Sequence, residues 1–298
     1  MRLIKVIPIF FTILKATIIN VPSDYGTIQA GIDQAEEGDT VLVSSGTYYE
    51  NLMINKEIFL ASQAIFDDLS IPDWYNNSNI TGTIINGSGS NNPKKRSCLI
   101  VRDGDIQPTI KGFTFEGGVG TNMLILDCSE GDNIYRSELT GGGVLIYDAY
   151  PIINYNRFMN NGITPETERG RKGSKNGGAI AHYEDAEVEF DEDRDSAPSS
   201  NSNISRTVPG TMDIQNNYFE GNTSGNGQGF YSFGYDGSID VSNSVFENVD
   251  CGTNTVNEYV LNSAEGVADY VQDGVTGECI DENAFYVATT GNNSNNGT

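Results

Sequence analysis

The sequence predicts an all-β solenoid, a fold in which short strands stack coil upon coil. Four segments repeat one phrase, in which an aliphatic residue stands five positions before a phenylalanine. Gly or Asn follows each phenylalanine by two positions, and both residue types tolerate the positive φ of a tight bend. The repeated pairs are Ile110 and Phe115, Ile153 and Phe158, Ile214 and Phe219, and Val241 and Phe246.

No coil of a solenoid can bury its inward face alone, so inward side chains must stack on those of the next coil. We expect aliphatic and aromatic residues inside, and Asn, Ser and Gly at the corners. The interval from Phe115 to Phe158 fits two coils of about 21 residues each. The longer interval from Phe158 to Phe219 fits only if an insertion is set aside.

The N-terminal segment predicts a strand at 18–21, then a short helix, then a strand at 40–50. Ile28 and Ile32 mark one face of the helix, which is expected to start near residue 23 or 24 and to be closed by Gly38. Such a helix would cover the open end of the solenoid. Further strands are predicted at 52–62, 80–87, 98–126 and 142–162. The segment at 142–162 begins with glycines followed by apolar residues, and this pattern recurs at Gly177 and, more loosely, at Gly227.

The charge balance restricts the class of partner. The chain has 17 basic and 41 acidic residues, a net charge of -24, which argues against nucleic acid or an anionic membrane surface. Cations, neutral glycans and basic proteins remain compatible with this charge.

The first sixteen residues predict a secretory signal peptide. Arg2 and Lys5 precede an apolar run at 6–14, and Ala16 offers a small residue for cleavage. The run is too short to span a bilayer. We therefore expect a secreted or cell-surface protein with these segments: a leader at 1–16, the solenoid at 17–250, a C-terminal segment at 251–284 and the start of a further module at 285–298.

The four cysteines do not predict a zinc site, because none forms a CxxC pair. In an exported protein Cys251 and Cys279 could form a disulfide, although three connectivities are possible. Cys98 and Cys128 could equally be small apolar residues within the coils.

Several segments together resemble a known family. VPSDYGTIQAGIDQAEEGDTVLVSSGTYYENL, IKGFTFEGG, GGGVLIYDAYPIINYNRFMNN and DIQNNYFEGN resemble the right-handed parallel β-helix repeat proteins with the pectin-lyase-like fold. The resemblance covers residues 18–249 and implies a right-handed parallel β-helix with a short N-terminal capping helix. This fold hosts lyases, hydrolases, esterases, adhesins and surface proteins without a known reaction, so it does not give a function by itself. Gly46, Tyr48 and Glu50 match the GxYxE motif of pectin methylesterases, but the later esterase motifs have no counterpart.

Aromatic side chains are the candidate carbohydrate-binding residues, because a ring face packs against the apolar face of a sugar. The candidates are Tyr147, Tyr150, Tyr231, Phe233 and Tyr235, with Trp74 as an outlying one. The alternation of residues in GFYSFGYDG predicts that Tyr231, Phe233 and Tyr235 share one face of a strand. That face lines a groove or packs under a neighbouring loop, and the sequence leaves both interpretations open.

Asp191, Asp193 and Asp195 are the candidate metal ligands, because alternating carboxylates can converge on one Ca²⁺. The loop lacks the glycine and the final glutamate of an EF-hand, so a solvated acidic loop is the alternative interpretation.

No catalytic residue is assigned. The NTD, DD and GHG set of polygalacturonases is absent, and His182, the only histidine, is expected at a corner of the solenoid. The basic candidates for a lyase are scattered singly: Arg102, Lys111, Arg136 and Arg157.

The sequence thus favours a non-catalytic β-helix module that binds a polysaccharide or another surface partner. The first alternative is a polysaccharide lyase or glycoside hydrolase on the same fold. The second is a self-associating structural or adhesion protein.

Overall fold

The computed structural model describes residues 16–90, 92, 96–102, 104, 106–127, 134–162, 176–184, 188–190, 210–247, 249–250, 260–264, 268–277 and 279–280. In these ranges no helix has both the length and the apolar character needed to cross a membrane.

The chain is mostly β, and its elements follow one another in coils. The N-terminal elements are β1 (Ile18–Val21) and α1 (Ile28–Gln34). Coil 1 has the strands β2 (Thr40–Val43), β3 (Gly46–Tyr48) and β4 (Leu52–Ile54). Coil 2 has the strands β5 (Phe59–Ser62), β6 (Thr83–Asn86) and β7 (Leu99–Arg102). Between these strands, coil 2 also has the helix α2 (Ser78–Gly82) and 3₁₀ turns at Gln63–Phe66, Trp74–Asn76 and Gly87–Gly89. Coil 3 has β8 (Thr109–Lys111), β9 (Thr114–Glu116), β10 (Thr121–Asp127), β11 (Ile134–Thr140) and β12 (Val144–Tyr147); coil 4 has β13 (Ile152–Asn154), β14 (Arg157–Met159), β15 (Ile180–Tyr183) and β16 (Val188–Phe190). Coil 5 has β17 (Thr211–Asp213), β18 (Tyr218–Glu220) and β19 (Phe230–Phe233); coil 6 has β20 (Ser238–Asp240), β21 (Val245–Glu247), β22 (Val249–Asp250) and β23 (Leu261–Ala264), and β24 (Asp269–Val271) and β25 (Cys279–Ile280) follow.

Strands at the same position of successive coils pair in parallel. Sheet A contains β1, β2, β5, β8 and β13, sheet B contains β3, β6, β9, β14, β18 and β21, and sheet C contains β4, β7, β12, β15, β19 and β23. Sheet D contains β17, β20 and β24, and its first strand lies beside the last strand of sheet A. In coils 1 to 4 the chain visits sheets A, B and C in that order, and in coils 5 and 6 sheet D precedes B and C.

The four repeated phenylalanines form one interior column. Phe115, Phe158, Phe219 and Phe246 are register partners in sheet B and are fully buried. Their rings stack nearly parallel, with successive centroids 5.3, 5.2 and 4.6 Å apart. The predicted inward stacking is therefore confirmed. The bends that follow are confirmed as well at Gly117, Asn160 and Gly221, which all have positive φ.

The predicted coil length is wrong for the first interval. Phe115 and Phe158 are direct register partners, so the residues between them form one coil rather than two. The extra length is a hairpin, in which β10 and β11 pair antiparallel along their whole length. An antiparallel hairpin lengthens the chain without adding a coil.

Buried asparagines join the coils at their corners. Asn156 Nδ2 donates to the backbone oxygen of Ile110 at 3.0 Å, and Asn217 Nδ2 donates to that of Ile153 at 2.7 Å. The Oδ1 of Asn217 in turn accepts from the backbone N–H of Asn156 at 3.0 Å. Asn161 and Asn222 repeat the arrangement at the corner between sheets B and C. These amides satisfy backbone groups that the turns leave without a strand partner.

Helix α1 covers the first coil, as predicted, but it begins later than expected. Thr27 is its N-cap, and its hydroxyl oxygen accepts from the N–H of Ala30. Ile28 and Ile32 are buried against the first strands.

The GxYxE segment has a structural role at this cap. The carboxylate of Glu50 accepts from the N–H groups of Ile28 and Gln29 at 2.9 and 3.0 Å, where the helix leaves them without an internal partner. The side chain of Gln29 then bonds both backbone groups of Met53, as a neighbouring strand would.

Two of the sheets include strands beyond residue 250, within the predicted C-terminal segment at 251–284. Strand β23 pairs with β19 in sheet C, and β24 pairs with β20 in sheet D. Part of the 251–284 segment therefore belongs to the same stack of strands.

Candidate binding face on sheet C

The outer face of sheet C carries a row of aromatic side chains from consecutive coils. Strand register aligns Tyr147 of β12 with Tyr183 of β15 and Phe233 of β19. Arg102 of β7 precedes this row, and Ala264 of β23 follows it. Tyr231 stands beside Phe233 in a second outward row.

The rings of this face contact one another. Tyr183 stacks on Phe233 at a centroid distance of 5.7 Å and meets Tyr231 at 5.8 Å with a tilted geometry. Tyr183 and Tyr231 are buried, whereas Tyr147 and Phe233 are half-buried. The two half-buried rings are the ones that a ligand could contact.

The β10–β11 hairpin covers one side of the face. Met123 of β10 packs in one cluster with Tyr183 and Tyr231. Asn176 Nδ2 donates to the Tyr183 hydroxyl at 3.2 Å and to Oε2 of Glu138 in β11 at 3.3 Å. Burial raises the pKa of Tyr183 well above its ordinary value. The hairpin therefore forms a wall beside the exposed parts of Tyr147 and Phe233.

The structure brings together three of the five predicted aromatics. Tyr147, Tyr231 and Phe233 lie on the outer face of sheet C. Tyr150 and Tyr235 are 3% and 1% exposed and belong to the interior core, so the predicted shared face of Tyr231, Phe233 and Tyr235 is incorrect.

The physical reason is the end of strand β19 at Phe233. Gly234 then takes a positive φ of 78°, which interrupts the alternation and turns Tyr235 inward. Sugar binding by the three outer residues stays a prediction.

His182 lies in strand β15 rather than at the predicted corner, packs against interior tyrosines and is fully buried. Its Nδ1 lies 3.4 Å from the hydroxyl of Ser232, and its ring packs against Tyr150 and Tyr235. Burial lowers the pKa of His182 to about 3. Sequence reasoning missed Ser232, although aligning GGAIAHY with GQGFYSF pairs the two residues. Because both side chains are fully buried, the pair cannot reach a ligand on the surface.

The basic candidates do not converge on this face. Arg102 lies on it, but Lys111 and Arg157 lie over the rings of Tyr155 and Tyr218, at 4.5 and 5.3 Å from the centroids. The side chain of Arg136 lies outside the described part of the structure.

Trp74 and Tyr75 belong to the segment that covers the outer face of sheet B. Trp74 is 5% exposed and meets Tyr155 edge-on at 5.2 Å, and Tyr75 stacks on Tyr218 at 4.7 Å. Trp74 thus contributes to packing rather than to an open platform.

Sheet B brings together two carboxylates that sequence reasoning did not pair. Glu220 and Glu247 are register partners, and both accept from the Tyr218 hydroxyl, at 2.9 and 3.0 Å. Burial, then the two carboxylates, raise the pKa of Tyr218 well above its ordinary value. The sequence signal for this pair was a glutamate directly after the phenylalanine in two of the repeated phrases, at Phe219 and Phe246.

The remaining predicted sites are a buried cysteine and positions outside the described residues. Cys98 is fully buried, and burial raises its pKa to about 12, so its thiol is a packing group rather than a nucleophile. Asp191, Asp193, Asp195, Cys128 and Cys251 are outside the described residues, as is the side chain of Cys279. Among the described side chains, no three metal-ligating groups converge.

Comparison with known proteins adds little to this geometry. No family model matches the sequence, and no curated protein matches it. One solved structure, a pectin methylesterase mutant in complex with a hexasaccharide, aligns over 94% of this chain and 94% of its own. The identity is 11% and the TM-score is 0.31, and a similarity of that size carries no inference about activity.

Proposed function

We propose that the protein is a single right-handed parallel β-helix that binds a polysaccharide along the outer face of sheet C without catalysing a reaction. We also propose that it is secreted or held at the cell surface, on the evidence of the leader-like residues 1–16 and the net charge of -24. The order of the sheets supports the fold, because each coil adds one strand to sheet A or D, then one to sheet B and one to sheet C.

The half-buried rings of Tyr147 and Phe233 carry the functional proposal. They stand two coils apart in one row, with the buried Tyr183 between them. Parallel strands are about 4.8 Å apart, so the two rings lie about 10 Å apart along the axis, a distance that a short oligosaccharide spans. Packing among Tyr183, Tyr231 and Met123 holds the row in place.

A glycan array tests this proposal with the purified chain and a Tyr147→Ala/Phe233→Ala double variant. We expect the chain to bind a defined set of polysaccharides, and the double variant to lose at least about fivefold in affinity, taking for each ring–sugar contact the 0.5–1.5 kcal/mol or so of an aromatic pair. Tyr49→Ala is the matched control, since Tyr49 is 67% exposed and directly follows β3 of sheet B rather than a strand of sheet C. Equal binding by the double variant, or no binding to any glycan, would contradict the proposal.

Glu220 and Glu247 favour one second candidate, a glycoside hydrolase acting at sheet B. Because the Tyr218 hydroxyl lies within hydrogen-bond distance of an oxygen of each, these two oxygens are at most about 6 Å apart, a bound that includes the 5–5.5 Å or so of retaining glycosidases. Release of reducing sugar from a polysaccharide that is abolished by Glu247→Gln, with unfolding unchanged, would establish this activity. Absence of release across the glycans that the array identifies would remove it.

A further inference from the structure

We propose that a signal peptidase cleaves the chain between Ala16 and Thr17, and that the new α-ammonium group of Thr17 forms an ion pair with Asp39 that anchors the first strand. This inference rests on the proposed leader at 1–16 and is independent of glycan binding. Hydrolysis of the Ala16–Thr17 bond consumes one water and leaves a carboxylate on Ala16 and an amine on Thr17. The amine takes up a proton at neutral pH.

The Ala16–Thr17 bond lies just outside the first strand. Ala16 and Thr17 are exposed, and β1 begins at the next residue, Ile18. The backbone oxygen of Thr17 nevertheless accepts from the N–H of Thr40 at 2.9 Å, which extends the pairing of β1 with β2. Cleavage at this bond therefore leaves β1 complete and places the new charge at its start.

The carboxylate of Asp39 already binds the nitrogen that cleavage converts to an ammonium group. Its Oδ1 accepts from the N–H of Thr17 at 2.7 Å, and its Oδ2 accepts from the N–H of Glu36 at 2.9 Å. These two bonds, that from Glu36 first, hold the pKa of Asp39 below its ordinary value. Asp39 is therefore a charged acceptor at neutral pH, and it is 7% exposed.

Main-chain bonds fix the position of Asp39. Its N–H donates to the backbone oxygen of Glu36 at 3.0 Å, and its own backbone oxygen accepts from the N–H of Phe59 at 2.9 Å. The carboxylate thus stands directly before β2, the strand that pairs with β1. Because it is already positioned, the ion pair loses little of the side-chain freedom that usually weakens pairs near a surface.

The cavity beside Thr17 favours a positive charge. It has a volume of 460 Å³, and the titratable side chains in its lining are those of Asp24, Tyr25, Glu36 and Asp39. Among the described residues, no Lys, Arg or His lines it. Oδ2 of Asp24 accepts from the N–H and Nδ2 of Asn20 at 2.7 and 3.1 Å, so Asp39 is the carboxylate that contacts Thr17 directly. The other carboxylates add attraction at longer range.

N-terminal sequencing of the product that a host exports from the full chain tests the cleavage step. We expect a single start, at Thr17. Ala16→Phe removes the small residue that the peptidase requires, so this variant should not be cleaved at that bond.

Two chains that differ by one residue test the ion pair. One starts at Thr17, and the other keeps Ala16, so its Thr17 nitrogen is a neutral amide and its ammonium group lies about 3.8 Å farther along the backbone. Urea unfolding between about pH 6 and 10 gives the pKa of the α-amino group in each folded chain.

We expect the ion pair to raise this pKa by about one unit above its unfolded value of about 7.7–8.0, a tenfold gain in proton affinity. The stability that the pair adds is complete below about pH 7.5 and is lost as the pH rises through the raised value. The chain that keeps Ala16 should show a smaller rise.

Asp39→Asn should abolish the difference in pH dependence between the two chains. Asp33→Asn removes an exposed carboxylate of α1 that does not line the cavity, so it is the matched control and should preserve the difference.

The outcomes separate this inference from the proposed function. Export with residues 1–16 retained would overturn the inference and the proposed leader together. A start at another residue, equal pH dependence of the two chains, or equal effects of Asp39→Asn and Asp33→Asn would overturn the inference alone. None of these results bears on glycan binding, which the array measures separately.

Discussion

Asn217 makes several hydrogen bonds from one buried side chain. Its Nδ2 donates to the backbone oxygens of Ile153 and Ile214, both at 2.7 Å, and its Oδ1 accepts from Asn156 N–H at 3.0 Å and lies 3.4 Å from Asn156 Nδ2. We expect Asn217→Ala to lower the free energy of unfolding by about 2–4 kcal/mol, because it leaves buried backbone groups without partners.

Urea unfolding of the wild type and Asn217→Ala measures this loss. Asn76→Ala is the control, since Asn76 is exposed in the 3₁₀ turn of coil 2, and we expect a change within about 0.5 kcal/mol. Equal small changes in both variants would show that the corner asparagines do not hold the coils together.

His182 should make the protein less stable as the pH falls. Burial lowers its pKa to about 3 in the folded state, below the value near 6.5 of an unfolded chain. The unfolded state therefore binds more protons between these values, so the stability due to His182 is complete above about pH 6.5 and is lost toward pH 3. The loss approaches about 1.4 kcal/mol per pH unit.

Unfolding free energies between pH 7 and 5 of the wild type and His182→Gln test this dependence. Glutamine does not titrate and can still contact Ser232, so the variant should have the shallower curve. Parallel curves would mean that His182 gains a proton in the folded state as easily as in the unfolded one.

At this scale the sequence predicted the inward phenylalanines and the bends after them, but not the inward positions of Tyr150 and Tyr235. The phenylalanine column and the bends after it follow from local spacing. The contact of His182 with Ser232 depends on register with a strand 50 residues away, which only a comparison of the GGAIAHY and GQGFYSF segments reveals.

At the scale of elements, Glu50 holds the capping helix to the first coil. We expect Glu50→Ala to lower the free energy of unfolding by about 1–3 kcal/mol, because two N–H groups of α1 lose a charged acceptor. Glu36→Ala, an exposed carboxylate near the end of the helix, is the control and should change it by less than about 0.5 kcal/mol. Hydrogen exchange of α1 provides a second measurement, and faster exchange in Glu50→Ala alone is the expected result.

The insertions are the elements that the sequence described least well. Strand β10 was predicted only as one of the coil strands within 98–126, and β11 was not predicted. Only the antiparallel register with β11 and β16 shows that it leaves the stack and covers sheet C. The interpretation that Tyr231 packs under a neighbouring segment, left open by the sequence, agrees with its 6% exposure.

For the whole molecule, stacking in register is the claim on which the binding face depends. The face exists because strands from different coils align Tyr147, Tyr183 and Phe233, and the same alignment stacks the phenylalanines inside sheet B. The sequence predicted this architecture from repeats and a family resemblance. It could not place the coil boundaries, because insertions of different length separate equivalent strands.

Double-mutant cycles on the phenylalanine column test that claim most directly. Phe158 and Phe219 are stacked neighbours with centroids 5.2 Å apart, whereas Phe115 and Phe246 occupy the two ends of the column. With Phe→Leu substitutions, we predict a coupling free energy of about 0.5–1.5 kcal/mol for the neighbours and less than about 0.5 kcal/mol for the ends. No coupling between Phe158 and Phe219, or equal coupling in both pairs, would contradict the stacked register.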